Sequence, residues 1–398
     1  FLNSQIINDK KARLSLYLNQ NNLKSITENK EEKFLNTKII YHQKLFKNSF
    51  DSNLFFETNS GNLPQQEFTF LEVEPGLGTY KWIDINGNNI QELEEFEIAV
   101  FEDEGRYIRI LLPNQIFIRT YQNKLNYSLN INFLKLKKSD LGFYKFLSKI
   151  SNQFQYSLDK KTNLDINPEI EINPFNIDEN SLLAYNYSLK NVFYFNRLKQ
   201  KFSLAFTFLE NKLKNNFSFG STKISSLIKK INFVHKIGDL YLIEVVGNKQ
   251  KKTNWSENFQ DKNYNINDYS INPKLTYYSG ENNRINFIYR LSNIDNSIGN
   301  KESLKQQNFG ISLFLNQKEK TGFISEFNYF KNEFNGDINS VISYIMMNGL
   351  QKGENYTWSF RFQRKLSKLL DINFVYLGRK SNKLRTIHNG SIQLKAIF

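Results

Sequence analysis

Cysteine is absent from the 398 residues. That excludes disulfide frameworks, thiolate metal sites and cysteine nucleophiles in one step. Histidine is nearly absent: His42, His235 and His388 lie far apart, and each reads as a strand or rim residue rather than a ligand. No GxSxG, HExxH, Walker or dinucleotide fingerprint accompanies them, so no catalytic residues are nominated and an enzyme is not expected. Pro75-Gly76-Leu77-Gly78 is a turn and no phosphate cradle, because no strand-to-helix context follows it. There is no run of about 18 apolar residues, hence no transmembrane helix. Only 6 prolines occur, beside abundant Asn, Lys and Ile. This bias fits an AT-rich genome better than a prion-like segment, since the Asn residues sit inside a regular alternation.

What is present is a wealth of aromatic side chains, 36 Phe and 21 Tyr, set out with a period of two. At the C-terminus Ile392, Leu394, Ala396 and Phe398 alternate with Ser391, Gln393 and Lys395. Further apolar faces are Tyr356, Trp358, Phe360 and Phe362; Ile372, Phe374 and Tyr376; Phe309, Ile311, Leu313 and Leu315. Others are Ile285, Phe287, Tyr289 and Leu291; Phe202, Leu204, Phe206 and Phe208; Leu183 to Leu189; and Leu125 to Phe133. Successive side chains of a strand point to opposite faces, so each segment has one greasy and one wet side. Repeated along a chain, this is the pattern of strands between lipid and an aqueous lumen. A large soluble all-β protein is the alternative. The mean hydropathy of -0.54 does not oppose a barrel, which needs only alternate residues in lipid.

The net charge is +14, from 53 Lys and Arg against 39 Asp and Glu. Anionic lipid headgroups or a cation-lined lumen explain it better than nucleic acid, because the lysines are scattered. Short runs such as Lys249-Gln250-Lys251-Lys252 read as solvated loops.

Turn signals at Ser279–Asn283, Asn316–Lys320, Gln351–Asn355 and Gly378–Lys383 are each flanked by alternating segments, as in antiparallel hairpins. The expected fold is all-β, a transmembrane antiparallel barrel of roughly 16–20 strands in a meander, with a long folded loop or plug. Strands near 12–18, 37–47, 50–58 and 115–134 place the first barrel strands in residues 1–63, and the remainder of the barrel in 115–398. Residues 64–114, bounded by Pro64 and Pro113, form the insertion. Around 135–180 the rhythm breaks: 139–152 suits a short helix capped by Ser139 or Asp140, and 159–180, with Pro168 and Pro174, suits a loop. The spacing leaves room for one further strand between 292 and 308. The opening at Phe1, without a basic or apolar leader, suggests either a removed signal peptide or, favoured by the abrupt start in polar sequence, the C-terminal part of a longer chain.

One motif in the insertion is site-like. Asp84, Asn86 and Asn88 fall at the first, third and fifth positions of a calcium loop, Ile90 would offer its carbonyl at the seventh, and Glu92 and Glu95 fill the ninth and twelfth. Asn89 replaces the usual sixth-position Gly and Gln91 the usual apolar eighth, so structural Ca2+ stands beside an acidic turn held by Asx hydrogen bonds. No other cofactor is expected.

The stretch Val73-Glu74-Pro75-Gly76-Leu77-Gly78-Thr79-Tyr80, then Asp84 to Asn88 and Glu92 to Glu97, with the ending Gly378 to Phe398, resembles large flavobacterial-type outer-membrane β-barrel proteins of Bacteroidota. The resemblance covers most of the chain and implies a fold and a Gram-negative outer-membrane location rather than an activity. Barrels of that kind often sit in large assemblies for secretion, nutrient uptake or protein insertion, and the long insertion without catalytic groups favours a structural or accessory subunit of a multiprotein outer-membrane complex, with lipid, lipopolysaccharide and other envelope proteins as partners. A passive or gated porin-like channel is the alternative, and an outer-membrane enzyme ranks below both.

Overall fold

The structure is a computed structural model that describes residues 1–24, 31–64, 67–112, 116–133, 142–167, 171–197, 201–217, 220–280, 282–317, 321–367, 369–382 and 384–396. Its strands in chain order are β1 (Leu2–Asn8), β2 (Ala12–Lys24), β3 (Glu31–Leu45), β4 (Phe50–Pro64), β5 (Glu67–Glu72), β6 (Tyr80–Trp82), β7 (Phe96–Ile98), β8 (Tyr107–Leu112), β9 (Phe117–Asn132), β10 (Ile150–Asn163) and β11 (Leu182–Phe195). They continue with β12 (Phe202–Phe217), β13 (Gly220–Ile237), β14 (Tyr241–Ser256), β15 (Tyr264–Tyr278), β16 (Arg284–Asn296), β17 (Ser303–Gln317), β18 (Thr321–Asn335), β19 (Gly353–Lys365), β20 (Leu370–Ser381) and β21 (Ile387–Ala396). Two short helices, α1 (Gly142–Leu147) and α2 (Val341–Met347), interrupt the series.

Seventeen strands make one antiparallel sheet, each pairing with the next along the chain. The single jump is β4 onto β9, which leaves β5 to β8 as a separate four-stranded sheet. The fold is therefore the expected meander with an inserted unit, and the count falls inside the expected range. A meander suits this chain because successive strands of the large sheet pair antiparallel, with no crossover to cover.

The ladders fix which residues share a face. Phe206 lies opposite Ile231, Ile231 opposite Gly247, Gly247 opposite Ile271, and Ile271 opposite Leu291. Tyr289, Phe309, Tyr329 and Tyr356 form a second continuous row. These rows are apolar and exposed, with Ile231, Phe309 and Ile311 each 50% accessible. The opposite face carries Asn232, Ser270, Ser292, Asn308 and Asn328 and is the lumen side. From Phe202 to Phe208 the apolar band spans about 20 Å of strand, close to the height of a membrane barrel's outer belt. The sheet thus presents a lipid-facing wall.

The insertion and the connection that carries α2 lie at one end of the sheet; the other end holds the short connections 238–240, 279–283 and 366–369 beside the longer one that carries α1. β21 runs toward the end opposite the insertion.

Several expectations need correction. No strand lies between β16 and β17; residues 297–302 are a tight connection. Gly378 to Ser381 are the end of β20 and not a turn, because Trp358 packs across the side-chain-free face of Gly378 and prolongs the ladder. Gln351 closes a longer connection that contains α2. Lys249 to Lys252 lie in the middle of β14, with Lys249 and Lys251 on one face and Lys252 on the other. The helix covers only Gly142–Leu147, and 159–163 belong to β10. Ser139, Asp140, Pro113, Pro168, Lys318 to Lys320, Lys383 and Phe398 lie outside the described residues.

Candidate functional site

The inserted unit has its own small core. Phe70 stacks on Phe96 with centroids 4.1 Å apart, and Tyr80 and Tyr107 close the cluster edge-on. Two of its connecting segments meet where side chains are absent: a Cβ on Gly105 would stand 2.1 Å from the Gly78 carbonyl oxygen. Gly78-Leu77 and its neighbours are therefore a packing point as well as a turn.

This unit is rooted between β4 and β9 yet touches much of the ring of strands. Phe68 meets Phe217 at the end of β12. Lys262, between β14 and β15, pairs with Glu97 at 2.7 Å and donates to the Phe96 carbonyl. Asn389 of β21 donates to Glu102. Only a sheet rolled around the insertion brings these strands to it, so the insertion stoppers the mouth at its end of the sheet.

The tightest attachment is an acidic turn, Phe101 to Glu104. Arg379 of β20 donates to both carboxylate oxygens of Asp103 and at 3.2 Å to Glu104, while its guanidinium lies 4.0 Å from the centroid of the Phe101 ring. Tyr344 of α2 donates to Glu104 at 2.8 Å and accepts from the Val100 amide at 2.9 Å. Burial, with the Glu104 charge adding to it, pushes the Tyr344 hydroxyl well above its ordinary pKa, so it stays a donor. Lys81 completes the set on Glu104 at 3.2 Å. Beneath, α2 buries Val341, Ile342, Met346 and Met347, three of them in a cluster with Ile266, Ile294, Leu304 and Phe334 from the lumen wall. Ser340 caps this helix by accepting from the Ser343 amide. A cavity of about 310 Å3 remains between the acidic turn and the wall, bordered by Glu326, Ser359 and Arg361.

All six nominated calcium ligands fall in one loop of the insertion, but the side-chain oxygens of Asp84, Asn86, Asn88, Glu92 and Glu95 already accept protein hydrogen bonds. Asp84 takes the Gly87 and Asn89 amides, Asn86 the Asn88 amide, and Asn88 the Ile90 amide. Glu92 accepts from the side chains of Asn86 and Asn88. Glu95 is fully buried, accepting from the Trp82 indole at 2.7 Å and the Ile85 amide at 3.0 Å. Glu95 would have to leave these donors to serve as a bidentate ligand, so this arrangement favours the turn held by Asx bonds. Gly87 and Asn89 supply the left-handed conformations it needs.

The histidines stay apart. His42 meets Asn53 on the lumen face, His235 stacks on Phe233, and His388 accepts from or donates to the Tyr376 hydroxyl. Among the described residues no three His, Asp or Glu side chains converge as a metal site.

Sequence reasoning missed a second covering element. Residues 171–181 fold back over the outer face of β9 to β13. Lys160, buried there, donates to the Asn173 and Asn176 carbonyls, and Asn123 to the Glu171 and Ile172 carbonyls. Lys214 and Lys223 both reach Glu179. A lysine amid tyrosines on a lipid-side row was the available signal.

No protein-family model matches the chain, and no curated protein does. Among solved structures it is similar to the outer-membrane OmpT of Vibrio cholerae, at 7% identity and a TM-score of 0.35, covering 89% of this chain and 99% of that one. It is also similar to TodX, the toluene transporter of P. putida, at 8% identity and a TM-score of 0.25, covering 97% of this chain and 86% of that one. At these scores the fold rests on the ladders themselves.

Proposed function

We propose that the protein is an outer-membrane barrel that serves as a structural or accessory subunit of a multiprotein envelope complex, without catalytic activity of its own. The observation that carries this reading is the stoppered mouth, where Arg379 of β20, Tyr344 of α2 and Lys262 between β14 and β15 hold the inserted unit in place. A passive pore is not served by such a stopper.

The clamp itself favours a second reading, a gated channel, because a few ion pairs around Arg379 hold the stopper in place. Gentle detergent extraction of the tagged protein from native membranes, followed by size estimation and mass spectrometry, separates the two. A stoichiometric set of envelope proteins supports the subunit; a lone barrel that conducts in a planar bilayer overturns it.

A further inference from the structure

Of the misread lysines of β14, Lys249 points outward at a definite height. On β13 the outward positions change from Ile231 to Lys229, and on β14 from Gly247 to Lys249, so the two lysines stand directly opposite one another at the insertion-side rim of the apolar band. On β12 the band likewise ends at Phe208, followed by Glu210 and Lys212, and on β15 it ends at Ile271, followed by Tyr269. Like charges facing each other across a ladder repel. Lys212 is held by Glu210 at 2.9 Å, and the Lys249 ammonium lies 4.9 Å from the Tyr269 ring centroid. Both Lys229 and Lys249 are exposed.

Directly below this pair the wall is notched. Gly247 sits between Ile231 and Ile271 in an otherwise bulky row, and nothing lies within 4 Å of where its Cβ would be. The result is an open groove of about 470 Å3 floored by Phe206, Ile231, Ile271 and Leu291, with Lys229, Lys249 and Tyr269 at its upper edge. The Gly247 φ is not in the left-handed region, so backbone conformation does not demand glycine there.

We infer that this groove binds one phosphorylated lipid of the surrounding leaflet, an acyl chain lying in the Gly247 notch and the phosphate bridging Lys229 and Lys249. A phosphate between the two ammonium groups removes their repulsion and gains charge-assisted hydrogen bonds. The acyl chain fills a gap that would otherwise leave the flanking side chains without contacts on one side. The inference rests on the outer-membrane reading but not on the subunit role.

The test is native mass spectrometry of the full chain in detergent, titrated with diphosphorylated lipid A, with dephosphorylated lipid A and with inorganic phosphate. One retained diphosphorylated lipid is expected, with at least tenfold lower occupancy in the Lys229→Glu/Lys249→Glu double variant. Gly247→Ile fills the notch without a backbone clash and lowers lipid A occupancy similarly, while heat-modifiable gel migration confirms that each variant is folded. Equal retention of dephosphorylated lipid A, or occupancy unchanged in either variant, overturns the site. Inorganic phosphate competing as well as lipid A overturns the acyl notch. Failure here leaves fractionation of the protein with the outer membrane intact, so the two readings fail separately.

Discussion

Arg379 and Asp103, 276 residues apart, form a two-pronged ion pair across the barrel mouth, with Nη2 donating to Oδ2 at 2.8 Å. The pair is largely enclosed, its side chains 12% and 29% exposed. Removing one partner of an enclosed pair strands the other, and Glu104 would be left with Lys81 and Tyr344 alone. Arg379→Ala should weaken stopper docking by about 3 kcal/mol and raise bilayer conductance or proteolysis of residues 97–106. Arg379→Lys should recover only part, because an ammonium cannot fork onto both oxygens. Closed, protease-resistant Arg379→Ala barrels would show that the clamp is not what holds the stopper.

The stopper's own fold hangs on a close approach of backbone. With a Cβ on Gly105 at 2.1 Å from the Gly78 oxygen, Gly105→Ala must push the two segments apart. A loss of about 2–4 kcal/mol from the inserted sheet is expected, read as Trp82 emission shifting to the red while heat-modifiable migration of the barrel is unchanged. Retained Trp82 emission would mean that the contact yields more easily than its geometry indicates.

The barrel was legible in the sequence because its cause is local: side chains alternate in lipid and water, and Phe309, Ile311 and Leu313 record that directly. The inserted unit was legible as an interruption of the same rhythm. Its docking was not, since nothing near Arg379 in the chain announces Asp103, and the pairing exists only once the sheet is rolled. Lys249 to Lys252 misled for a related reason. A run of charge looks like a loop until the ladder shows that Lys249 and Lys251 face one way and Lys252 the other. The loop 84–95 was legible as a cluster of oxygens, but the same oxygens suit an ion or a set of amides, and spacing cannot choose between them.

That choice has a direct measurement. With Glu95 held by the Trp82 indole and the Ile85 amide, millimolar Ca2+ should leave both the melting curve and Trp82 emission unchanged. Glu95→Gln should destabilise the insertion by about 1–3 kcal/mol in the presence or absence of the ion, as the buried donors lose a charged acceptor. A rise in melting temperature with Ca2+, abolished in Glu95→Gln, would establish a calcium loop instead, because only binding to the folded state raises stability with ligand concentration.

The flap over β9 to β13 should be acid-labile. The Asn176 side chain and the Asn173 amide hold the Glu171 carboxyl below its ordinary pKa, and the Ser181 hydroxyl and Asn180 amide do so for Asp178. Lys223 chiefly, and then Lys214, lowers Glu179. Groups whose folded pKa is depressed stabilise the folded form above their unfolded value, near 4 for these carboxyls, and that contribution disappears as pH falls through the folded value. The flap should therefore be unchanged from pH 7 to about 5 and loosen below about pH 4. Hydrogen exchange of residues 171–181 reads this directly, with β14 to β18 as the internal reference. Lys160→Met should loosen the flap at neutral pH as well, because the Asn173 and Asn176 carbonyls lose their common donor. Exchange in 171–181 that is flat down to pH 3, or unaffected by Lys160→Met, would show that apolar contacts such as Phe175 against Tyr156, and not the polar set, keep the flap on the wall.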